Sequence, residues 1–176
     1  MAWQKHRPLP EEEKSDDRAK ARARALELLA GRELSSAALY ERLCRRYTGQ
    51  AAASAVAEMV ERGYVDDDRY AETRARSLLC ARKSRRAAEQ DLRGRGLTPQ
   101  QIGRALDAVY APEEDGESPE LAAAEALVQG RYRARLAAGR RDLVVAALMR
   151  RGFAYPVIRE AVARAQQAPD EEPPLA

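Results

Sequence analysis

The chain contains 176 residues, a length typical of about one domain, and 45% of them are hydrophobic, which is enough to bury a core. Its 31 basic and 28 acidic residues leave a net charge of +3, so net charge alone does not class it as a nucleic-acid-binding protein. One histidine, His6, and two widely separated cysteines, Cys44 and Cys80, exclude an ordinary zinc site and a histidine-dependent catalytic triad.

The segments at the start, middle and end of the chain lack regular hydrophobic spacing and are rich in proline and charged residues. We predict a disordered N-terminal tail at 1–15, a linker at 112–117 and a disordered C-terminal tail at 167–176. The N-terminal segment has no apolar run of signal-peptide length, and nowhere do about 18 apolar residues run together. We therefore expect a soluble, cytoplasmic protein that does not contact a membrane.

Between these segments the composition and the spacing both favour helices. Alanine and leucine dominate among the apolar residues, while aromatic residues make up only 5% of the chain, which suits packed helices better than a sheet. Hydrophobic residues recur at three- and four-residue intervals, as Ile102, Ala105, Leu106 and Val109 do. The sequence therefore predicts an all-α protein.

The stretch GYVDDDRY, which starts at Gly63, reads as a boundary between two helices. Gly63 suits a left-handed helix C-cap, after which Tyr64 and Val65 are expected to pack back on the core. The first of the aspartates at 66–68 is a good N-cap, and the next two lie in the first turn, near the positive end of the helix dipole. Tyr70 is then the first inward-facing residue of the new helix.

A metal or catalytic role for the same aspartates is disfavoured. An EF-hand loop needs acids at alternate positions, a glycine at the sixth position and a glutamate at the twelfth, and Asp66, Asp67 and Asp68 do not begin such a pattern. An acid/base pair needs carboxylates that converge from separate elements.

A repeat appears further along the chain. The segments DLRGRGLTPQQIGRALDAV from Asp91 and ALMRRGFAYPVIREAVARA from Ala147 align without gaps at an offset of 56. Gly96 coincides with Gly152, and an apolar residue follows each glycine, Phe153 in the second copy. Each segment predicts a helix, a glycine C-cap, an apolar residue folded back on that helix, and a new helix.

A looser copy earlier in the chain brings the number of repeats to three. We predict three-helix repeats at 16–64, 65–111 and 118–166 that stack into an elongated array, which could curve. The residues expected to determine this fold are Gly63, Tyr64, Asp66, Asp67, Tyr70, Gly96, Gly152 and Phe153.

Enzyme signatures are missing. No phosphate-binding loop of the GxxxxGK[ST] type occurs, and the GxG at 94–96 continues into Leu-Thr-Pro instead of a dinucleotide-binding helix. We therefore expect no catalytic residue, no cofactor and no metal.

Basic residues concentrate in the second and third repeats. Most are arginines, whose planar guanidinium group can bind phosphate or carboxylate through two hydrogen bonds. The alternative is a solvated helix surface in a protein with high overall arginine use. The candidates for contact with an anionic partner are Arg82, Lys83, Arg85, Arg86, Arg93, Arg95, Arg131, Arg133, Arg135, Arg140, Arg141, Arg150 and Arg151.

Taken together, the motifs resemble the RecX family of bacterial recombination regulators over about residues 20–165. The matching residues are Ser35-x-x-x-Leu39, Gly63-Tyr64-Val65-Asp66-Asp67-x-x-Tyr70-Ala71, Leu92-x-x-x-Gly96-Leu97 and Leu148-x-Arg150-Arg151-Gly152-Phe153-x-Tyr155-x-Val157-Ile158. The resemblance implies tandem three-helix repeats that bind the RecA recombinase in the groove of its filament on DNA. It also implies lower ATP hydrolysis, less strand exchange and limited filament growth.

Two other functions stay open at this point. Three-helix units can act as helix-turn-helix modules that bind single- or double-stranded DNA directly. A helical adaptor with no DNA-related partner is the third possibility. For each of these functions we expect a monomer.

Overall fold

The computed structural model describes residues 9–112 and 116–167, and within these ranges it contains ten α-helices and no β-strand. The all-α prediction is confirmed. A short 3-10 helix at Glu11–Glu13 precedes the α-helices. The helices are α1 (Arg18–Gly31), α2 (Ser36–Leu43), α3 (Gly49–Glu61), α4 (Asp67–Cys80), α5 (Arg85–Arg93), α6 (Pro99–Tyr110), α7 (Pro119–Gln129), α8 (Arg133–Ala137), α9 (Arg141–Arg150) and α10 (Tyr155–Gln167).

The helices follow the predicted three-helix repetition, with one addition. Helices α1 to α3, α4 to α6, and α7 with α9 and α10 form the three sets, and the short helix α8 lies in the connection between α7 and α9. Tyr132, just before α8, is buried, and Leu136 within it packs on the same core, which holds the connection in place. The sequence did not predict α8, because its five residues are too few to show a hydrophobic period.

Contacts between residues divide the chain into two compact units. Among the described residues, the first unit contains 9–71 and 93–101, and the second contains 72–92, 102–112 and 116–167. Helices α4, α5 and α6 each continue from one unit into the other, so the middle repeat contributes to both.

Each unit has its own apolar core. Small side chains let the helices approach closely, since alanines form part of both cores. The core of the first unit contains Ala21, Ala25, Leu34, Leu39, Leu43, Ala51, Ala52, Ala55, Met59 and Val65. The core of the second unit contains Leu121, Ala124, Leu127, Val128, Tyr132, Val144, Ala147, Leu148, Phe153, Ile158, Ala161 and Val162.

The aspartates that follow Gly63 begin α4 as predicted. Gly63 has a φ of 71°, and the Asp66 carboxylate accepts a hydrogen bond of 2.9 Å from the Arg69 amide. Asp67 has a second function that was not predicted, because its carboxylate accepts hydrogen bonds from the amide and the hydroxyl of Ser36 at the start of α2. The aspartates therefore start one helix and connect it to another.

The prediction for Tyr64 is wrong. Its side chain is 53% exposed, whereas Val65 is buried at 3% and Tyr70 at 7%. The amides of Tyr64 and Val65 both donate to the Met59 carbonyl oxygen, at 2.9 and 3.2 Å. Two adjacent side chains of this turn point in different directions, and only the valine faces the core.

Part of the predicted N-terminal tail is structured. The Leu9 amide donates to the Arg45 carbonyl at 3.1 Å, and the Ser15 amide donates to the Arg46 carbonyl at 3.0 Å. Residues 9–15 therefore lie along the connection between α2 and α3. Residues 1–8, 168–176 and 113–115, which contain the remainder of both predicted tails and part of the predicted linker, lie outside the described residues.

Among the described residues, no helix is long and apolar enough to cross a membrane.

Candidate functional site: an arginine cleft at Tyr132

Two arginines of the second unit, Arg135 and Arg151, lie against the ring of Tyr132. Its side chain is 5% exposed and belongs to the core, and its backbone amide donates to the Leu127 carbonyl at 3.1 Å, so the ring has a fixed position. The Arg151 Nε donates a hydrogen bond of 3.0 Å to the tyrosine hydroxyl. The guanidinium carbons of Arg135 and Arg151 lie 5.9 and 6.0 Å from the ring centroid. These distances allow cation–π attraction.

The cleft beside this ring has a volume of about 310 Å³, and four of the six described residues that line it are arginines. None of the six is acidic. The lining residues are Arg131, Tyr132, Arg135, Ala147, Arg150 and Arg151. Four guanidinium groups without a carboxylate among them attract an anion, and each can bind a phosphate or carboxylate through two hydrogen bonds. We name this site the Tyr132 cleft.

The arginines of the cleft have different roles. Arg151 is partly buried and is held at both ends, since its side chain donates to Tyr132 and its carbonyl oxygen accepts a hydrogen bond of 2.9 Å from the Ser84 hydroxyl. Arg131 and Arg150 are exposed and form no ion pair with any described residue. Arg151 therefore positions the cleft, while Arg131 and Arg150 present their charge to solvent.

The first predicted basic cluster lies close to this cleft. Arg82 has a left-handed backbone with a φ of 55°, and its Nη1 lies 3.9 Å from the position that a Cβ on Gly130 would take. Arg86 lies beside Gly152, with its Cβ 3.6 Å from the corresponding position. Arg82, in the α4–α5 connection, therefore lies next to the segment that carries Arg131, and Arg86, in α5, lies next to the turn that follows Arg151.

Arg85, which belongs to the same predicted cluster, forms hydrogen bonds with other residues of the chain. Its guanidinium donates to the Leu106 carbonyl at 3.1 Å and to the Asp107 carboxylate at 2.6 Å. Its amide donates to Glu120 at 3.0 Å. This residue connects three helices, which is a structural role that the sequence did not predict.

Lys83, the remaining residue of that cluster, has an exposed side chain and a fixed backbone. Its carbonyl oxygen accepts a hydrogen bond of 3.1 Å from the hydroxyl of Tyr110. Burial, followed by the charge of Glu120, raises the pKa of Tyr110 to about 12. The hydroxyl therefore stays protonated and continues to donate at neutral pH.

The other predicted candidates fall into two groups. Arg93 and Arg95 belong to the first unit, where the Arg95 Nη1 donates to the Tyr70 hydroxyl at 2.9 Å. Arg133, Arg140 and Arg141 lie in the second unit and are exposed, at the start of α8 and α9. Positive charge at the start of a helix opposes its dipole, so these positions are not explained by local helix stability.

No group of three or more His, Cys, Asp or Glu side chains in the described part of the chain could hold a metal ion. Cys44 is partly buried and Cys80 is exposed, and both are free thiols. The first unit contains a second basic cleft, which the sequence did not predict.

The chain is similar to proteins of one named family. Residues 66–106 match the family model of the second three-helix domain of RecX. The chain is 34% identical over 145 residues to a regulatory protein RecX from Trichlorobacter lovleyi, covering 77% of this chain and 89% of the relative. It is 34% identical over 152 residues to a regulatory protein RecX from Halorhodospira halophila, covering 85% of this chain and 90% of the relative.

Solved structures agree with the fold. A crystal structure of RecX from Lactobacillus salivarius has a TM-score of 0.72 at 16% identity, covering 87% of this chain and 99% of the other. A further crystal structure of regulatory protein RecX has a TM-score of 0.68 at 22% identity, covering 81% and 71%. At these identities the likeness shows the shared fold of helical repeats.

Proposed function

Because this chain belongs to the RecX family of regulatory proteins, we propose that it binds the RecA filament on DNA and inhibits its ATPase, growth and strand exchange. The observation that carries the proposal is the Tyr132 cleft, where four arginines and no described acid surround a fixed aromatic ring. We infer that the protein acts by binding, as a cytoplasmic monomer without cofactor.

The chemistry of the cleft supports an anionic partner. Arginine binds carboxylate and phosphate equally well in a bidentate geometry, so the cleft suits both an acidic protein surface and the DNA backbone within the filament. Arg131, Arg135 and Arg150 provide the contacts in this proposal, with Arg82 and Arg86 nearby and Lys83 next to Arg82 in the chain. Arg133, Arg140 and Arg141 extend the same surface.

Inhibition follows if one molecule contacts more than one RecA subunit. Basic residues occur in both compact units, Arg93 and Arg95 in the first and the Tyr132 cleft in the second. A protein that contacts the filament through basic residues of both units can connect neighbouring subunits and oppose the movements that accompany ATP turnover. Substoichiometric inhibition is the expected consequence.

The test is the DNA-dependent ATPase of the cognate RecA, titrated with the wild-type protein and with Arg150→Glu. Arg159→Glu is the matched control, because Arg159 is also an exposed arginine of the second unit but does not line the cleft. We expect inhibition by the wild type well below one molecule per RecA subunit, and a several-fold higher half-inhibitory concentration for Arg150→Glu only. Equal inhibition by all three proteins would show that the Tyr132 cleft does not contact the filament.

The second candidate function is direct binding to DNA. The observation in its favour is the same excess of cations, since the described lining of the cleft has no carboxylate to repel phosphate. If several phosphates are contacted, affinity for labelled single- or double-stranded DNA falls by orders of magnitude between about 50 and 200 mM salt. Salt-sensitive DNA binding without an effect on the RecA ATPase would favour this function over the first.

A further inference from the structure

A second cleft lies in the first unit, against α1 and the α2–α3 connection. Its volume is about 710 Å³. It combines six cations with apolar side chains, and Glu27 is the one acidic residue among those described in its lining. The lining residues are Leu9, Lys20, Ala23, Arg24, Glu27, Leu28, Arg32, Arg42, Arg45, Arg46 and Tyr47. We name it the Arg42 cleft.

Arg42 lacks the partners that a partly buried arginine usually has. Its Nη1 is buried and forms no hydrogen bond with any described residue. Burial is the largest cause that lowers the pKa of Arg42, followed by the positive charges of Arg32 and Arg45, and these outweigh the opposite effects of Tyr70 and Glu41. A desolvated donor and neighbouring like charges both cost free energy, so this arrangement does not stabilise the fold by itself.

The acids near the cleft do not balance its charge. Glu27 pairs with Arg24 at 2.7 Å, and Lys20 pairs with Asp17 at 3.1 Å. Arg32, Arg45 and Arg46 are exposed and have no ion pair within the described ranges. The cleft therefore retains several cations for a negatively charged occupant.

The backbone beneath these cations is fixed before any occupant binds. The carbonyl oxygens of Arg45 and Arg46 accept hydrogen bonds from Leu9 and Ser15, and the Thr48 amide donates to Ser15 at 3.0 Å. Preorganised groups bind with a smaller loss of conformational entropy. The segment at 9–15 thus fixes the backbone that carries Arg45 and Arg46, and it also supplies an apolar residue, Leu9, to the lining.

The apolar part of the cleft favours a peptide over a nucleic acid. Single strands stack their bases on open aromatic rings. Tyr47, the one aromatic residue in the described lining, is partly buried and packs on the core, so its ring is not an open platform. Leu9 is 38% exposed, and Leu28 is partly buried, which suits an aliphatic side chain.

From these observations we propose that the Arg42 cleft binds an acidic peptide segment of a protein partner. In this complex, carboxylates of the segment pair with Arg42, Arg45 and Arg32, and an aliphatic side chain of the segment packs on Leu9 and Leu28. The occupant supplies the negative charge that the fold lacks at Arg42. The proposal does not depend on the Tyr132 cleft or on the identity of the partner as RecA.

The test measures fluorescence anisotropy of labelled probes with the full-length protein. The probes are the peptide EELEELEE, its uncharged analogue QQLQQLQQ, its analogue without apolar side chains EEGEEGEE, and an oligothymidylate of equal length. We expect EELEELEE to bind about tenfold more tightly than each of the other three, because only it offers both carboxylates and leucines. Equal or tighter binding of the uncharged peptide would overturn the proposal, and so would no binding of EELEELEE, or oligothymidylate binding as tight as that of EELEELEE that Arg45→Gln weakens to the same extent.

Substitutions then locate the site. Arg42→Gln and Arg45→Gln are expected to weaken EELEELEE binding by about tenfold each, as expected for loss of a charge-assisted pair. Arg18→Gln removes the same charge from an exposed position of α1 outside the cleft and should leave binding unchanged. If Arg42→Gln does not fold, as judged by circular dichroism, Arg45→Gln and Arg32→Gln decide the question, because both side chains are exposed. Equal effects of all the substitutions, or none, would contradict the assignment to this cleft.

Discussion

The hydroxyl of Ser84 donates a hydrogen bond of 2.9 Å to the carbonyl oxygen of Arg151, across 67 positions of the chain. The same oxygen of Ser84 accepts the Ala87 amide at 3.1 Å and so caps α5. Ser35 repeats both contacts in the first unit, donating to the Arg95 carbonyl at 2.7 Å and accepting from the Ala38 amide at 3.2 Å. Both serines are fully buried.

The arginines of this arrangement also repeat. Arg95 and Arg151 are equivalent in the sequence repeat, and each donates to a buried tyrosine hydroxyl, of Tyr70 and of Tyr132. The glycine after each arginine leaves space for the serine segment. The same structural joint therefore occurs twice, once in each compact unit. Each joint consists of a buried serine, an arginine–glycine pair and a buried tyrosine.

We expect Ser84→Ala to lower the free energy of unfolding by about 1–3 kcal/mol. The substitution removes a helix cap and leaves the buried carbonyl oxygen of Arg151 without its donor. Urea unfolding followed by circular dichroism measures the change. Ser77→Ala is the control, because Ser77 is exposed within α4 and alanine favours a helix there. Equal stability of the two variants would show that the joint does not contribute to stability.

Gly152→Ala tests the same joint from the other side. Gly152 has a φ of 87°, and a Cβ there would lie 2.8 Å from the Ser84 Oγ. Gly139 has a similar φ of 71°, but nothing lies within 4 Å of its Cβ position. Gly139→Ala therefore measures the backbone cost alone, about 1 kcal/mol.

We expect Gly152→Ala to lose at least a further 1 kcal/mol, about the cost of forcing additional volume into a packed site. The difference between the two alanine variants in urea unfolding is the measured quantity. If that difference is zero, the close approach of Ser84 and Gly152 adds nothing beyond the backbone conformation.

Local signals in the sequence predicted much of the fold. Gly63, Gly96 and Gly152 have the left-handed backbone that a glycine C-cap requires, and Asp66 caps α4. These features depend on residues a few positions apart, so a single sequence displays them. The sequence did not show the bonds from Ser35 and Ser84, because their partners lie 60 and 67 positions away.

The candidate sites were harder to predict for the same reason. Consecutive arginines were visible, but the sequence could not show that Arg85 pairs with Asp107 or that Arg131 and Arg150 meet at one tyrosine. The Arg42 cleft was missed entirely, because its cations come from α1, from α2 and from the connections that follow these two helices. Only the tertiary structure brings such scattered charges together.

Ionisation of the Tyr110 hydroxyl should make the free energy of unfolding depend on pH in the alkaline range. Its pKa is raised to about 12 from an ordinary value of 10.0, chiefly by burial. A raised pKa means that the protonated hydroxyl stabilises the fold fully below about pH 10 and that this contribution is lost as pH rises towards about 12. We expect wild type to exceed Tyr110→Phe in unfolding free energy by about 1 kcal/mol at pH 8, from the bond to Lys83, with the excess shrinking by pH 11.

Tyr64→Phe is the control for alkaline pH, because Tyr64 is 53% exposed. Its stability relative to wild type should not change between pH 8 and pH 11. Urea unfolding at both pH values measures all three proteins. A constant difference between wild type and Tyr110→Phe would mean that the Tyr110 hydroxyl titrates alike in the folded and unfolded states.

Lysine substitutions of Arg150 and Arg151 distinguish the contribution of side-chain geometry from the contribution of charge in the Tyr132 cleft. Lysine keeps the positive charge but has no Nε–H group to donate to Tyr132 from the same position. We expect Arg151→Lys to lower the unfolding free energy by about 0.5–1.5 kcal/mol, the range for one hydrogen bond, and to raise the half-inhibitory concentration in the RecA ATPase assay. Arg150→Lys should change stability by less than about 0.5 kcal/mol, because that side chain is exposed and has no partner among the described residues. If both variants retain wild-type stability and inhibition, the cleft acts through charge alone and the Arg151–Tyr132 bond has no positioning role.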